Sequence, residues 1–176
     1  MKKQLITLVT VFMFSAFTFA QSGLNIGFSI GFPYENYDGY DYSFAFNGDI
    51  NYLFEVNQAF DIGIATGYGH AIGESFYVGP ILGNFDTPDY QYVPVAAAFR
   101  FGPSRLTFGA DIGYAISVSS AKDLSNRDYY TGGFYWRPMV GFNVNDILQL
   151  NANYIGISDD YFYYGAFNLG LTVNIN

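Results

Sequence analysis

The stretch LTFGADIGYAISV, residues 106 to 118, carries the clearest structural signal in the chain. Every second residue in it is apolar, from Leu106 through Ile112 to Val118, and the residues between are small or polar. Successive side chains of a β-strand point to opposite faces, so a period of two is typical of strands. The stretch therefore predicts a strand with one bulky apolar face and one face of Thr, Gly, Asp, Ala and Ser.

The same alternation recurs along the chain after residue 20. Between Leu24 and Phe32, for example, Leu, Ile and Phe alternate with Asn, Gly and Ser. Because this period recurs in eight separate segments, we predict an all-β chain with eight strands and no helix. The predicted strands cover residues 24–32, 42–54, 60–69, 92–101, 106–118, 134–144, 148–154 and 166–175.

The connections between these strands alternate in length. Three turns are short, and they alternate with four loops, of which three are long and the last is brief. Outer-membrane β-barrels have short periplasmic turns and longer outer loops, and an even strand number returns both termini to the periplasm. The pattern predicts an eight-stranded antiparallel transmembrane β-barrel, an up-and-down meander. The turns are residues 55–58, 102–104 and 145–147, and the loops are 33–41, 71–89, 119–131 and 158–161.

Two prolines lie inside predicted strands, at Pro94 and Pro138. A closed barrel has no edge strand, yet proline has no N–H to donate to a neighbouring strand. We therefore expect a bulge or a locally missing hydrogen bond at each proline.

The N-terminus has the three parts of a secretory signal peptide. Two lysines precede an apolar run, Leu5–Phe19, and the small residues Thr18 and Ala20 occupy the −3 and −1 positions of a cleavage site. The run is shorter than the roughly 20 apolar residues of a membrane-spanning helix. We predict a cleaved signal peptide at residues 1–20 and a single barrel domain at residues 21–176.

Composition excludes several classes of function. Removing the two leader lysines leaves 5 basic residues against 15 acidic ones, a net charge of about −10, which argues against nucleic-acid binding. The chain has no cysteine, so disulfides, thiolate metal sites and a lipoprotein anchor are excluded. Aromatic residues reach 21% while charged residues fall to 12%. Such a chain exposes aromatic surface to lipid or buries an unusual amount of it.

The direction of the apolar faces separates a membrane barrel from a soluble secreted barrel of the lipocalin kind. Each strand offers about five bulky apolar residues, roughly forty in all, which is more than the interior of eight strands can hold. The opposite faces are rich in Gly, Ala, Ser, Asn and Thr and contain neither Lys nor Glu. We therefore expect the bulky faces to point outward, where only lipid stabilises them.

Three stretches resemble the small eight-stranded bacterial outer-membrane β-barrel family, the OmpA/OmpX-type barrels. They are YVPVAAAFRFG (residues 92–102), LTFGADIGYAISV (residues 106–118) and FNLGLTVNIN (residues 167–176). The resemblance covers essentially the whole mature chain. It implies a place in the bacterial outer membrane, with membrane lipid or lipopolysaccharide and the barrel-insertion machinery as partners. In that family the last strand usually ends in an aromatic residue, whereas this chain ends in Asn176.

Five ionisable residues fall on the predicted lumen face. Buried charges persist only when they are paired and hydrogen-bonded. Counting from the nearest periplasmic turn, Asp61 should pair with Arg100, and Asp111 with Arg137, with Asp49 at the height of the second pair. We interpret these groups as ion pairs that fill the lumen. A gate or a proton path is the alternative interpretation.

His70 is the only histidine, at the junction of the third strand and the longest outer loop. With Ser75 and Glu74 it could form a lipid esterase, since ester hydrolysis needs a nucleophile, a base and an acid. The His-x-Ser spacing of the lipid A deacylases is absent, and so is the leading amphipathic helix of the palmitoyl-transfer barrels. A solvated loop histidine is the simpler interpretation, so we predict no catalytic residue and no enzyme activity.

The predicted outer loops contain ten acidic residues but only two basic ones, Lys122 and Arg127, and many tyrosines. No loop has EF-hand spacing, so we predict no metal site and no cofactor. The tyrosines nearest the strands are expected to form the interfacial aromatic girdle. We predict a structural or surface-interaction protein, with a lipid-modifying enzyme (hydrolase or acyltransferase) and a small-solute channel as alternatives. The outer-loop candidates for interaction are Glu35, Asp38, Asp41, Asp86, Asp89, Asp159 and Asp160.

Overall fold

A computed structural model describes residues 22–36, 42–57, 59–79, 83–102, 105–119, 132–159 and 163–175. None of these residues belongs to a helix long and apolar enough to cross a membrane. The strands are β1 (Ser22–Asn36), β2 (Tyr42–Asn57), β3 (Phe60–Gly73), β4 (Ser75–Gly79), β5 (Gly83–Asp86), β6 (Tyr90–Phe101), β7 (Leu106–Ser117), β8 (Gly133–Asn143), β9 (Leu148–Ser158) and β10 (Tyr163–Ile175).

Eight of the ten strands close into one barrel in the order β1-β10-β9-β8-β7-β6-β3-β2. Every neighbouring pair is antiparallel, including β1 with β10, where Phe28 lies opposite Leu171 at the closing seam. Closure leaves no strand edge in the barrel, so every barrel strand has a neighbour on both sides. The predicted eight-stranded antiparallel barrel is confirmed.

Strands β4 and β5 form a separate two-stranded hairpin inside the segment predicted to be the longest outer loop. The sequence did not reveal it because strands of five and four residues are too short to display a period of two. At the base of the hairpin the amide of Thr87 donates a hydrogen bond to the carbonyl oxygen of Glu74 at 3.0 Å. The outer end of β3 is therefore tied to the segment that leads into β6.

The bulky faces of the barrel strands point outward, as predicted. On β7 the side chain of Ile112 is 46% exposed, whereas that of its neighbour Asp111 is fully buried in the lumen. On β1, Phe28 is exposed and Ser29 is buried in the same alternating way. A continuous apolar outer surface of this kind is stable in lipid and not in water.

Tyr42 is an exception to this alternation. It is the first bulky residue of the second predicted strand, whose alternation predicts an outward side chain, but its side chain is buried in the lumen. The ladder between β2 and β3 shifts register between Tyr42 and Ala45, where β2 has an extra residue. Because a bulge of one residue reverses which face a side chain points to, Tyr42 lies inside the barrel.

The two prolines interrupt ladders where the sequence predicted it. Pairing of β3 with β6 stops at Thr66 and Val95 and resumes at Gly69 and Tyr92, which leaves Pro94 out. The hydroxyl of Thr66 donates instead to the carbonyl oxygen of Pro94 at 2.8 Å. Pro138 similarly falls in a gap between β8 and β9, where pairing stops at residue 136 and resumes at 139.

Candidate functional site

Four charged side chains form a continuous lumen ion cluster, namely Asp49, Arg137, Asp111 and Arg100. Arg137 donates from Nε to Oδ2 of Asp111 at 2.8 Å, and its Nη2 lies 2.6 Å from the same oxygen. Its Nη1 donates to Oδ1 of Asp49 at 2.9 Å, and Nη1 of Arg100 donates to Oδ1 of Asp111 at 2.6 Å. Asp111 therefore binds both arginines and is the centre of the cluster.

Strand register explains part of this arrangement. Asp111 and Arg137 lie directly opposite each other on β7 and β8, so the sequence-based pair is brought together. Asp49 reaches Arg137 from β2, across the lumen. Breaking a buried ion pair by removing one partner typically costs about 3–5 kcal/mol, because the other charge is left unpaired. The cluster therefore ties opposite walls of the barrel together.

The expected pair of Arg100 with Asp61 does not form, although the two residues are opposite each other on β6 and β3. Arg100 turns the other way, to Asp111 on β7. It lies over Gly109, where an added Cβ would be only 2.7 Å from the Cδ of Arg100. Because Gly109 has no side chain, the side chain of Arg100 can pass over it and reach Asp111. The carboxylate of Asp111 is fully buried, whereas Asp61 lies near the end of the barrel and is more exposed.

A layer of five buried tyrosines closes the lumen on the outer side of the ion cluster. We call Tyr42, Tyr90, Tyr92, Tyr135 and Tyr164 the tyrosine layer, and each is at most 6% exposed. The ring centroids of Tyr90 and Tyr92 are 5.3 Å apart, and those of Tyr90 and Tyr164 are 5.4 Å apart. The hydroxyl of Tyr92 donates to Oδ1 of Asn47 at 2.7 Å, which links the layer to β2.

Two members of the tyrosine layer, Tyr90 and Tyr164, lie just outside the predicted strands. Tyr90 lies two residues before the predicted start of the fourth strand at residue 92, but its side chain is fully buried in the lumen. Extending the alternation of the fourth predicted strand by two residues would have placed Tyr90 on the same face as Tyr92 and Arg100. Tyr164 lies just before the predicted start of the last strand, so it was missed in the same way.

On the other side of the ion cluster the lumen is open and forms a cavity of about 570 Å³. We call it the periplasmic vestibule, because it opens at the end that the turn lengths predict to face the periplasm. Its mouth is at the end of the barrel that holds the short turns. Asp49 and Arg137 reach it from the ion cluster, and carboxamides such as Asn51, Gln149 and Asn151 line its wall. Asp61 and Glu55 line it as well. The lumen is therefore filled in its outer half and hollow in its periplasmic half.

His70 lies on the outward face of β3, near the outer rim. Its Nε2 is 2.9 Å from Oδ2 of Asp89, and its Nδ1 is 3.4 Å from the hydroxyl of Tyr68. Asp89 also accepts a hydrogen bond from the amide of Gly73 at 3.0 Å. Partial burial opposes ionisation of this carboxyl, but the hydrogen bonds from His70 and Gly73 outweigh it and lower the pKa of Asp89.

This arrangement does not bring His70, Ser75 and Glu74 together as an esterase would require. Both ring nitrogens of His70 already have partners, and neither Ser75 nor Glu74 is among them. A hydrolase needs its base within hydrogen-bond reach of the nucleophile. Instead, His70 joins Asp89 in tying the base of the β4–β5 hairpin to the barrel.

The outer-loop candidates are only partly covered by the structure. Asp86 is exposed, Asp89 contacts His70, and Asp159 is half-buried. No group of three or more His, Asp or Glu side chains that could hold a metal ion occurs within the part of the chain that the structure describes. The predictions for Asp38, Asp41, Asp160 and the side chain of Glu35 lie outside the described residues.

The fold and the two faces of its wall define a small eight-stranded barrel of the outer-membrane type. No protein-family model matches the chain, and no curated protein matches its sequence significantly. Among solved structures, it is similar to Ail, the attachment invasion locus protein of Yersinia pestis, in complex with the heparin analogue sucrose octasulfate. The TM-score is 0.59 at 16% identity, over 88% of this chain and 97% of that one.

A second similar structure is the N-terminal β-barrel domain of Pseudomonas aeruginosa OprF. Its TM-score is 0.57 at 12% identity, over 89% of this chain and 99% of that one. At such identities the likeness establishes the fold, and a fold alone does not fix a function. The chain therefore has the fold of the small outer-membrane β-barrels, as its resemblance to the OmpA/OmpX-type family implied.

Proposed function

We propose that the protein is an integral outer-membrane barrel that meets a partner outside the cell through its acidic, tyrosine-rich outer loops. The observation that carries this proposal is the closed outer half of the lumen, where the tyrosine layer lies above the ion cluster. A lumen filled in this way leaves the loops as the surface that can contact an outside partner. The outward apolar face of the strands supports a place in lipid.

Charge defines the kind of partner. The predicted outer loops contain ten acidic residues against Lys122 and Arg127. Ail was crystallised with sucrose octasulfate, a densely sulfated ligand. Acidic loops repel such a polyanion, because like charges at an interface cost binding energy. We therefore propose a partner with a basic surface for this chain, such as a cationic protein.

The two alternatives have less support. An esterase requires its histidine base to face a nucleophile, and the partners of His70 are Tyr68 and Asp89 rather than Ser75. A solute channel requires an open bore, and the tyrosine layer and the ion cluster occupy it. Export with cleavage after Ala20 belongs to the same proposal. It is tested by the intact mass of protein isolated from the outer membrane, which should begin at Gln21.

Binding to charged beads tests the role of the loops. The refolded protein should be retained on polylysine beads and not on heparin beads. The triple variant Glu35→Gln, Asp38→Asn, Asp41→Asn should elute at lower salt, because loop charges drive the contact. Asp146→Asn, at a periplasmic turn, is the control with unchanged elution. Retention on heparin, or equal elution of the triple variant and the wild type, would contradict the proposal.

A further inference from the structure

The periplasmic vestibule is a second surface with chemistry of its own, separate from the outer loops. Its volume of about 570 Å³ falls within the range of sites that take small molecules. Eight-stranded barrels have room for packed side chains or for one small ligand. In the outer half tyrosines fill that room, whereas in the periplasmic half shorter Asn and Thr side chains leave it empty. The vestibule is reached from the side of the short turns.

Two carboxylates lie side by side on the wall of the vestibule. Glu55 and Asp61 are directly opposite each other on β2 and β3, and both line the vestibule. Among the described residues, neither carboxylate is hydrogen-bonded or in contact with a cation. Like charges directly opposite each other destabilise a sheet. A positively charged group bound between them would remove this repulsion.

Arg100 gives an independent indication on the neighbouring strand. Its side chain is only 6% exposed, it lines the vestibule, and it lies opposite Asp61 in the register of β3 and β6. All of its hydrogen bonds, to Phe99, Ala110 and Asp111, come from Nη1. The N–H groups on Nε and Nη2 have no partner in the described part of the chain. Both nitrogens keep some access to solvent, so an acceptor in the vestibule can reach them, and a carboxylate is the strongest one.

The rest of the wall is mostly polar, with a few apolar side chains such as Leu53 and Met139. Asn151 donates to Thr172 at 3.0 Å, and Gln149 donates to Asn143 at 2.7 Å. Carboxamides both donate and accept, so they suit the N–H and C=O groups of a peptide bond. The described lining contains no aromatic ring on which a sugar could stack. These features favour a small peptide-like ligand over a carbohydrate or an apolar compound.

We infer that the periplasmic vestibule binds a small zwitterion, an amino acid or short peptide, with its ammonium group at Glu55 and Asp61 and its carboxylate at Arg100. The carboxylates and the guanidinium face one cavity from adjacent strands, so one compact ligand can reach both. A ligand that lacks the ammonium group cannot interact with Glu55 and Asp61, and one that lacks the carboxylate cannot interact with Arg100.

Calorimetry with three related probes tests this inference on the refolded mature barrel in detergent micelles. Glycylglycine carries both charges, N-acetylglycine carries only the carboxylate, and glycinamide carries only the ammonium group. We expect glycylglycine to bind at least tenfold more tightly than either of the others. Absence of glycylglycine binding at millimolar concentrations would overturn the inference, and so would equal affinities of the three probes.

Charge-neutralising variants test the ammonium half of the site. Asp61→Asn should weaken glycylglycine binding about tenfold and leave the affinity for N-acetylglycine unchanged. Glu74→Gln, which removes a charge at the opposite end of the barrel, is the matched control with wild-type affinity. Glu55→Gln, at an exposed position, provides the same test if Asp61→Asn does not fold. Wild-type glycylglycine affinity in a folded Asp61→Asn or Glu55→Gln protein would remove the ammonium site.

Discussion

Arg137 and Asp49 meet across the full width of the barrel. Nη1 of Arg137 on β8 lies 2.9 Å from Oδ1 of Asp49 on β2, and these strands are four places apart around the barrel in either direction. Neighbouring strands are already joined by backbone hydrogen bonds, so a contact between opposite walls adds a different restraint. Asp49 and Arg137 also line the vestibule, so this contact lies where the filled half of the lumen meets the open half.

Asp111→Asn should destabilise the barrel by about 3–5 kcal/mol, because it leaves two buried arginines with only Asp49 as a charged partner. Urea unfolding in detergent micelles, followed by tryptophan fluorescence, measures the change. Asp146→Asn removes the same charge at an exposed periplasmic turn and should unfold like the wild type. Equal midpoints for the two variants would show that the lumen ion cluster contributes nothing to stability.

A double-mutant cycle distinguishes the two possible partners of Arg100. We expect a coupling energy of about 0.5–3 kcal/mol between Arg100 and Asp111, which are in contact at 2.6 Å. The cycle between Arg100 and Asp61 should give a smaller value, because no ion pair joins them. Unfolding free energies of the single and double variants provide both numbers. Stronger coupling to Asp61 would restore the pair first expected from the sequence.

Gly109→Ala tests why Arg100 reaches Asp111. The new Cβ would be 2.7 Å from Cδ of Arg100 and 2.9 Å from the carbonyl oxygen of Phe99, so the arginine must move. Overpacking of this kind typically costs about 1–3 kcal/mol. Gly48→Ala is the matched control, because nothing lies within 4 Å of its added Cβ. If both variants unfold at the same urea concentration, Gly109 does not provide the path.

The contact between Asp89 and His70 should weaken at low pH, when the carboxyl group of Asp89 is protonated. The pKa of Asp89 is lowered in the folded protein, so its contribution is present at neutral pH and is lost as the pH falls through that lowered value. Hydrogen exchange at the base of the β4–β5 hairpin should therefore accelerate below the ordinary aspartate pKa, after correction for the intrinsic rate. Asp89→Asn should exchange fast already at neutral pH. If Asp89→Asn exchanged at the wild-type rate at neutral pH, the contact between Asp89 and His70 would not hold the base of the hairpin.

Strand number, strand direction and the two faces of the wall follow from the sequence, because they depend on the period of two, on the lengths of the connections and on the bulk of the apolar faces. The inward direction of Asp111 and Arg137 is therefore predictable. The partner of Arg100 is not, since it depends on the stagger between strands and on the space above Gly109. Tyr42 faces the lumen because of a bulge that the alternation does not reveal.

The open half of the lumen could not be predicted from the sequence either. Asn51, Gln149 and Asn151 all fall on the predicted lumen face, but whether such side chains fill a barrel or leave a cavity depends on their heights. Heights follow from register, which pairs Asn51 with Asn25 on β1 and with Ala65 on β3. Only the folded arrangement separates the tyrosine layer from the vestibule.

The central claim, that the bulky faces of the strands contact lipid and the small faces line the lumen, is tested most directly with Trp136. It is the only tryptophan, so its fluorescence reports one position. It lies on the outward face of β8 beside the ring of Tyr154, at a centroid distance of 5.0 Å. In bilayers that contain brominated lipids, we predict strong quenching of this fluorescence and little quenching by aqueous acrylamide. Quenching by acrylamide with no effect of the brominated lipids would contradict the assignment of inside and outside.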